Sequence, residues 1–246
     1  MSRVISWFSC GAASAIATKM LIGEIDVIAY CETGAEHEDN KHFMADCVRW
    51  YNKPIKSIKS DKYTDLWDCW NKVRYLAGNN GARCTTEMKV KPRLKFQRPT
   101  DTHIFGYTAD KADVNRAKRF KENYFELNVK FPLIEAGITK AACLAMLQTA
   151  EIKTPTMYNL GYKNNNCIPC VKATSANYWA LIRETHPEEF KRMVKLSRKL
   201  NVRLCRMNLT GEIERYFIDE IPAQYPTTNP IQPSCDFMCH LVMKDF

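Results

Sequence analysis

The sequence predicts an α/β fold in which helices cover both faces of a parallel β-sheet, followed by a helical, cysteine-bearing C-terminal appendage. Over the first two thirds, short apolar runs alternate with longer segments of helical spacing, which indicates parallel strands joined by helices. Near Lys140 this alternation stops, and a Cys167-x-x-Cys170 motif follows. The 246 residues, 46% of them hydrophobic, suffice for one large domain with an appendage. We place an α/β domain over residues 1–139 and the helical region over 140–246.

Four short apolar runs bounded by turn or polar residues predict the strands of the sheet. They are Val4–Phe8, Asp26–Cys31, Ile55–Ile58 and His103–Tyr107. The segments between them predict helices over Ser14–Ile22, Asn40–Tyr51, Asp65–Leu76, Thr86–Phe96 and Asp110–Lys121. In the appendage we expect helices over Lys140–Ala150, Asn177–Glu184 and Pro187–Leu200, and an irregular, proline-rich tail from Pro222.

Charge and cysteine content restrict the partners and the compartment. Lys and Arg total 36 against 27 Asp and Glu, a net charge of +9, which favours anionic partners such as nucleotides, nucleic acid or sulfated metabolites. A generally basic, solvated surface is the alternative. We expect a cytoplasmic protein without a membrane span, because no apolar stretch approaches the roughly 20 residues that a span needs. In that compartment the 11 cysteines indicate metal binding or catalysis rather than disulfides.

A loop of small residues joins the first strand to the first helix. Ser9, Cys10, Gly11, Ala12, Ala13 and Ser14 form it. Small side chains let backbone N–H groups approach an anion, and the start of a helix adds partial positive charge. An ordinary tight turn is the alternative. Because ligands bind beyond the carboxyl ends of parallel strands, we expect this loop to share one crevice with Glu32–His37 and Gly106–Asp110.

The motif Cys167-x-x-Cys170 is half of a metal or cluster site, or a redox dithiol. Two sources of further thiolates are open: Cys84, and the tail pair Cys235 and Cys239. Inert thiols are the remaining alternative. Lys89, Lys91, Arg93 and Lys172 would stabilise thiolates here, unless they only form a solvated helix face. We assign Cys31, Cys143 and Cys205 to the core, since their neighbours are apolar.

The segment Trp7–Ala15 resembles the modified phosphate loop of the phosphoadenosine phosphosulfate (PAPS) reductase family and of its relatives, the PP-loop ATP pyrophosphatases. The pyrophosphatase loop reads S-G-G-x-D-S. Both serines match at Ser9 and Ser14 and the second glycine at Gly11, whereas Cys10 replaces the first glycine and Ala13 the acidic residue. The missing carboxylate argues against ATP cleavage. The reductase branch also lacks it and holds its nucleotide without cleaving a diphosphate.

Two further segments carry the resemblance, which extends over roughly residues 4–200. Tyr30–His37 is similar to the family's strand-end loop that faces the nucleotide. Gly106–Asp110, with Arg116 after it, is similar to a family segment that contains a glycine, an acidic residue and an Arg-Ala pair. The resemblance implies a HUP-type, Rossmann-like sheet that binds an adenine nucleotide, ATP or PAPS-like. The implied nucleotide-binding residues are Ser9, Cys10, Gly11, Ala12, Ala13, Ser14, Glu32, Thr33, Gly106 and Arg116.

Related reductases and nucleic-acid thiolases hold a [4Fe–4S] cluster through a C-x-x-C, which implies the ligand set Cys84, Cys167, Cys170 and Cys239. Zinc on the same thiolates is the alternative. The family's C-terminal catalytic cysteine corresponds to Cys239 or Cys235, although the surrounding residues depart from its motif.

The expected function is sulfur transfer or reduction beside an iron–sulfur or thiol centre, with a thiol or electron-donor protein as partner. One alternative is ATP-dependent thiolation of a nucleic-acid base, which the basic helix over Thr86–Lys95 favours. Another is a non-enzymatic, redox- or metal-responsive nucleic-acid-binding protein. Nucleotide turnover by the purified protein would separate the enzymatic hypotheses from the last one.

Overall fold

The computed structural model describes residues 2–78, 81–208, 211–234 and Val242. Its strands are β1 Val4–Phe8, β2 Val27–Cys31, β3 Ile55–Ile58, β4 Ala77–Gly78, β5 Gly81–Ala82, β6 Thr102–Phe105, β7 Asn128–Lys130, β8 Cys205–Asn208 and β9 Ile213–Tyr216. Its α-helices are α1 Ala12–Met20, α2 Asn40–Tyr51, α3 Leu66–Val73, α4 Arg83–Thr85, α5 Lys91–Phe96, α6 Lys111–Asn123, α7 Pro132–Glu135, α8 Lys140–Thr149, α9 Thr156–Asn159, α10 Ala176–Thr185 and α11 Pro187–Lys199.

The central sheet has five parallel strands in the order β3-β2-β1-β6-β7. The first strand, β1, lies in the middle, which explains why its residues are almost entirely buried. The four predicted strands are confirmed within a few residues, and the fold class with them. The sequence did not predict β7, which has only one apolar residue, Val129, among its three.

Helices cover the two faces of this sheet unequally. On one face α1, α2 and α8 bury a large apolar core that includes Phe8, Ile16 and Phe43. On the other face the buried hydrophobic residues of the core cluster are Ile5, Trp7 and Ala29, with Phe96 of α5 and Phe105 packed against them as partly buried neighbours. Phe105 in turn contacts Phe120 of α6, with ring centroids 4.8 Å apart. The second face is therefore thinner and is closed mainly by aromatic rings.

A second apolar core lies beside the sheet. It combines α3 and the segment around Met88 with the Cys167 loop, α10 and α11; Trp70 and Trp179 are fully buried in it. This core draws residues from both sides of the predicted boundary at 139/140. The division into two domains stays a prediction.

One predicted helix has an unpredicted irregularity. The helical segment begins at Arg83 and continues through a π-helical turn over Thr86–Val90 before α5. A π-turn contains one residue more than an α-helical turn and is frequent at functional sites. The extra residue changes which side chains of this segment face the same way.

Outside the central sheet the structure agrees with the sequence prediction only in part. The antiparallel pair β8–β9 was not predicted, and residues 222–234 are irregular as expected. Cys143 and Cys205 are fully buried as predicted, whereas Cys31 at the end of β2 is only partly buried. No helix in the described ranges has the length and apolar character needed to cross a bilayer.

Candidate functional site

The candidate site lies at the carboxyl edge of the sheet, where β1 meets β6. The chain leaves β1 toward β2 on one side, while β6 lies on the other side of β1. Such a point, where the strand order reverses, is where ligands bind in open parallel sheets. The loop after β1 and the glycine after β6, Gly106, meet here.

The Ser9–Ser14 loop is held in shape by the hydroxyl of Ser14. Its Oγ accepts from the backbone N–H of Ser9 at 3.0 Å and from the Ser9 hydroxyl at 3.0 Å, and it donates to the carbonyl of Gly11 at 2.9 Å. Cys10 has a positive φ of 59°, a conformation that favours glycine. Cys10 occupies the position of the first glycine in the pyrophosphatase loop. Its backbone therefore adopts a conformation that glycine favours, although the residue is a cysteine.

The start of α1 is buried beside the end of β6. The N–H groups of the first turn, Ala12 to Ser14, have no acceptor within the helix, as at any helix start. Gly106 lies against this turn: a Cβ there would come within 2.6 Å of both Cα and N of Ser14. Only a glycine lets the end of β6 approach so closely, which brings two of the predicted nucleotide-binding segments together.

Two residues that the sequence analysis missed complete the loop. The hydroxyl of Tyr158 accepts from the N–H of Ala12 at 3.1 Å, and Asn165 donates to the carbonyl of Cys10 at 2.5 Å. Asn165 also donates to the side chain of Asn40 at 2.7 Å. The only sequence signal is the Asn164-Asn165-Asn166 run before Cys167, which does not indicate where its side chains bind.

The loop after β2 binds the cysteine loop. The hydroxyl of Thr33 donates to the carboxylate of Glu36 at 2.5 Å, since a carboxylate can only accept. The Thr33 hydroxyl oxygen also lies 3.1 Å from the thiol sulfur of Cys167. The N–H of Ile168 donates to the carbonyl of Ala35 at 2.7 Å. These contacts place the Cys167 loop across the ends of β1 and β2.

The charge of Lys89 acts on the thiol of Cys167. Burial raises the pKa of Cys167, and Lys89 opposes this by favouring the thiolate. In return Cys167 raises the pKa of Lys89, with Glu36 contributing in the same direction. Lys89 lies in the π-helical turn, so this irregular turn supplies a positive charge to the site.

The other predicted nucleotide-binding residues lie farther out. Glu32 turns toward β3, where it pairs with Lys59 at 2.9 Å and accepts from Ser57 at 2.7 Å. Arg116 on α6 is more than half exposed and lies over the ring of Tyr107 at 4.6 Å. Their assignment to a bound nucleotide stays a prediction.

Three predicted metal ligands lie in one neighbourhood. Cys84 and Cys167 are buried and Cys170 is partly buried. Burial raises the pKa of Cys84, and the nearby Cys170 raises it further. Within the described ranges, however, no three Cys, His, Asp or Glu side chains are close enough together to hold a metal ion. Cys235 and Cys239 lie outside the described residues, so their predicted catalytic and ligand roles stay predictions.

Comparison with known proteins supports the fold. The parallel sheet, the reversal of its strand order at β1 and the small-residue loop after its first strand define a Rossmann-like α/β protein. A solved structure of this class is phosphoadenylyl-sulfate (PAPS) reductase from Candida auris in complex with phosphate, with a TM-score of 0.52. The two are 10% identical, and the match covers 68% of this chain and 82% of the reductase chain. No model of a known protein family matches, and no curated protein matches.

Proposed function

We propose that this chain is a cytoplasmic adenine-nucleotide-binding enzyme of the PAPS-reductase-like class that performs sulfur chemistry beside its cysteine loop. The observation that carries the proposal is the hydrogen bond from Asn165 to the carbonyl of Cys10, which joins the small-residue loop to the loop holding Cys167. A solved reductase of the same fold carries phosphate, which agrees with an anion site in such a sheet. The proposed site therefore combines phosphate binding with nearby thiols.

In this proposal the residues of the site have different roles. The N–H groups at the start of α1 would bind phosphate oxygens, and the Ser14 hydroxyl keeps the loop in the shape that exposes them. Lys89 and Cys167 lie beside the loop after β2. Lys140 donates to the side chain of Asn164 at 3.2 Å and adds a second cation near the cysteine loop. Both cations favour an anionic substrate, and Lys89 also favours the thiolate of Cys167.

ATP-dependent thiolation of a nucleic-acid base remains the alternative reaction. It requires cleavage of ATP between the α- and β-phosphates. Ala13, buried where the pyrophosphatase loop has an acidic residue, offers no carboxylate for this step. Robust release of pyrophosphate from ATP in the presence of acceptor RNA would favour thiolation over reduction.

Replacing Ser14 with alanine tests the nucleotide site. We expect Ser14→Ala to weaken the best-bound of ATP, AMP and PAPS about tenfold or more, because the loop loses the hydroxyl that fixes it. Isothermal calorimetry of the three nucleotides measures the change.

The matched control is Ser6→Ala. Ser6 is also a buried serine, but its hydroxyl pairs with Thr18 at 2.7 Å. It is linked to the loop indirectly, through the Thr18 hydroxyl, which donates to the Ser14 carbonyl at 2.7 Å. The control should keep its nucleotide affinity. If Ser14→Ala leaves every affinity unchanged, the loop is an ordinary turn and the proposed function is wrong.

A [4Fe–4S] cluster is a separate part of the proposal, with zinc as its alternative. Cys84, Cys167 and Cys170 would supply thiolates and Cys239 the fourth ligand. Cys170 lies near enough to act electrostatically on both Cys84 and Cys167, and Lys89 acts on the same two thiols, which supports this donor set. In the described ranges the three thiols do not by themselves form a group close enough to hold a metal ion. A bound cluster would supply electron transfer or a soft Lewis acid beside the nucleotide.

Protein prepared without oxygen tests this set. We expect brown protein containing iron and sulfide, with the colour lost in Cys167→Ser and retained in Cys143→Ser, a buried cysteine of the sheet core. Metal analysis and the visible spectrum give the result. Colourless protein with one zinc would replace the cluster with a structural metal. Metal-free protein with a Cys167–Cys170 disulfide would indicate a redox dithiol.

A further inference from the structure

The helix α6 carries a concentration of positive charge that carboxylates do not neutralise. Its basic residues are Lys111, Arg116, Lys118, Arg119 and Lys121, against Asp113 and Glu122. In the part of the chain that the structure describes, the one ion pair made by these cations joins Arg116 to Asp113 at a long 3.9 Å. Ala117 is the single buried residue of this helix. The positive charge of α6 therefore faces solvent.

The basic helix that the sequence analysis singled out is different. Lys91 pairs with Glu87 at 2.8 Å, Lys95 pairs with Asp61 at 2.5 Å, and Arg93 is buried with 7% of its surface exposed. Three of the four basic residues of this segment are thus paired or enclosed, whereas Lys89 is exposed. A polyanion would have to displace carboxylates to bind Lys91 or Lys95. That the basic helix over Thr86–Lys95 favours a nucleic-acid substrate stays a prediction.

The exposed face of α6 combines cations with an aromatic ring. Lys111, Asn115, Lys118 and Glu122 follow one another at three- and four-residue steps along it, which is the spacing of one helix face. Arg119 lies next to this row. Just after the helix, Phe125 is 87% exposed, the most exposed of the large hydrophobic side chains in the described ranges. Unpaired cations beside an exposed ring are typical of surfaces that bind single-stranded nucleic acid.

We propose that α6 and Phe125 form a docking surface for single-stranded nucleic acid. Lys111, Lys118 and Arg119 would contact successive phosphates, and a base would stack on Phe125. A duplex would leave no base free to stack. A membrane surface fits less well, because the apolar side of α6, with Phe120, is already packed against Phe105 of the sheet.

The position of α6 relates this surface to the candidate site. The helix begins directly after the Gly106–Asp110 loop at the carboxyl edge and leads back toward β7. At 1.5 Å per residue its length is about 20 Å, roughly three nucleotides of extended strand. A strand bound along it would have one end at the mouth of the crevice. This inference rests on the proposed function for the reaction there, but the surface can be tested without it.

Fluorescence anisotropy with labelled single-stranded RNA and DNA oligonucleotides of mixed sequence tests the surface. The double variant K118E/R119E should lose binding tenfold or more at about 0.1 M salt, and its plot of log affinity against log salt should be shallower by about 1.4. The matched control is K195E/K199E, which inverts two exposed lysines of α11. It should keep nearly all of its affinity. Phe125→Ala should cost about tenfold through lost stacking.

Several results would overturn the proposal. Unchanged affinity in K118E/R119E would do so, and so would an equal loss in the α11 control, which would indicate binding by net charge alone. Preference for duplex, or binding to vesicles containing phosphatidylserine but not to oligonucleotides, would also contradict it. Calorimetry with ATP, AMP and PAPS separates the two proposals: K118E/R119E should keep nucleotide binding, which Ser14→Ala loses. If RNA binds more tightly than DNA, RNA is the partner.

Discussion

Replacing Gly106 with alanine is expected to abolish nucleotide binding and to lower the free energy of unfolding by at least about 2 kcal/mol. The added Cβ would lie 2.6 Å from Cα and N of Ser14 and 2.8 Å from the carbonyl carbon of Ala13. These are backbone atoms in the first turn of a buried helix, so they cannot move aside as the end of a flexible side chain can. Either β6 or α1 must shift, and both carry the proposed phosphate site.

Chemical denaturation and nucleotide calorimetry measure the two effects. Gly23→Ala is the matched control, because a Cβ at Gly23 meets nothing within 4 Å. We expect the control to change stability by less than about 0.5 kcal/mol and to leave nucleotide affinity unchanged. A Gly106→Ala protein with normal stability and normal nucleotide affinity would show that the site does not depend on this close approach.

The second large effect is a loss of stability on mild acidification, caused by His103. This side chain is fully buried in β6, and its Nδ1 accepts from the indole N–H of Trp7 at 3.0 Å. Burial, and then the charge of Arg93, lower the pKa of His103 from 6.5 to about 4. The folded protein therefore holds a neutral imidazole that the unfolded chain protonates near pH 6.5.

The direction follows from proton linkage. A group whose pKa is lower in the folded protein than in the unfolded chain stabilises the protein at pH values above the unfolded-state pKa. This stability is lost as the pH falls toward the pKa of the group in the folded protein. Between about pH 7.5 and about pH 5 we expect a loss near 2 kcal/mol from His103. Burial opposes ionisation of Asp101, but hydrogen bonds from Arg3 lower its pKa to about 2, so its contribution is lost only below this window.

Urea unfolding at a series of pH values measures the loss. His103→Gln keeps an acceptor for Trp7 and should reduce the pH dependence by about 2 kcal/mol, whatever its stability at neutral pH. Burial also lowers the pKa of His186, so some dependence should remain in this variant. His42→Gln, at an exposed position of α2, is the control and should keep the full dependence. An unchanged slope in His103→Gln would show that His103 is not the group responsible.

Local sequence patterns predicted most of the sheet because its strands are short apolar runs, and these apolar residues are the ones that are buried. The run Val4–Phe8 is apolar and becomes the central strand. The helical spacing over Asn40–Tyr51 predicted α2, in which Phe43, Cys47 and Tyr51 are buried. The strand β7 has no comparable pattern. In β8, Cys205 and Met207 alternate with two exposed residues, a two-residue period that could have been recognised.

The sequence predicted the parts of the site that lie in short segments after strand ends. It did not predict the side chains that reach the site from distant parts of the chain. Ser14 and Gly106 follow strand ends, so topology alone brings them to one edge. Tyr158 and Asn165 act through hydrogen bonds to the loop backbone, and no spacing in the sequence indicates such a partner. The π-helical turn around Lys89 was not predicted for a related reason, since helical spacing does not reveal an extra residue within a turn.

The hydrogen bond between Asn165 and Cys10 spans 155 positions in the chain. During synthesis all five strands of the sheet, which ends with β7 at Lys130, can emerge well before Asn165 does. The first loop to leave the ribosome is thus among the last to reach its final shape. A nucleotide that needs the finished loop would stabilise only the completed chain, raising its resistance to unfolding while leaving the earliest folding steps unaided.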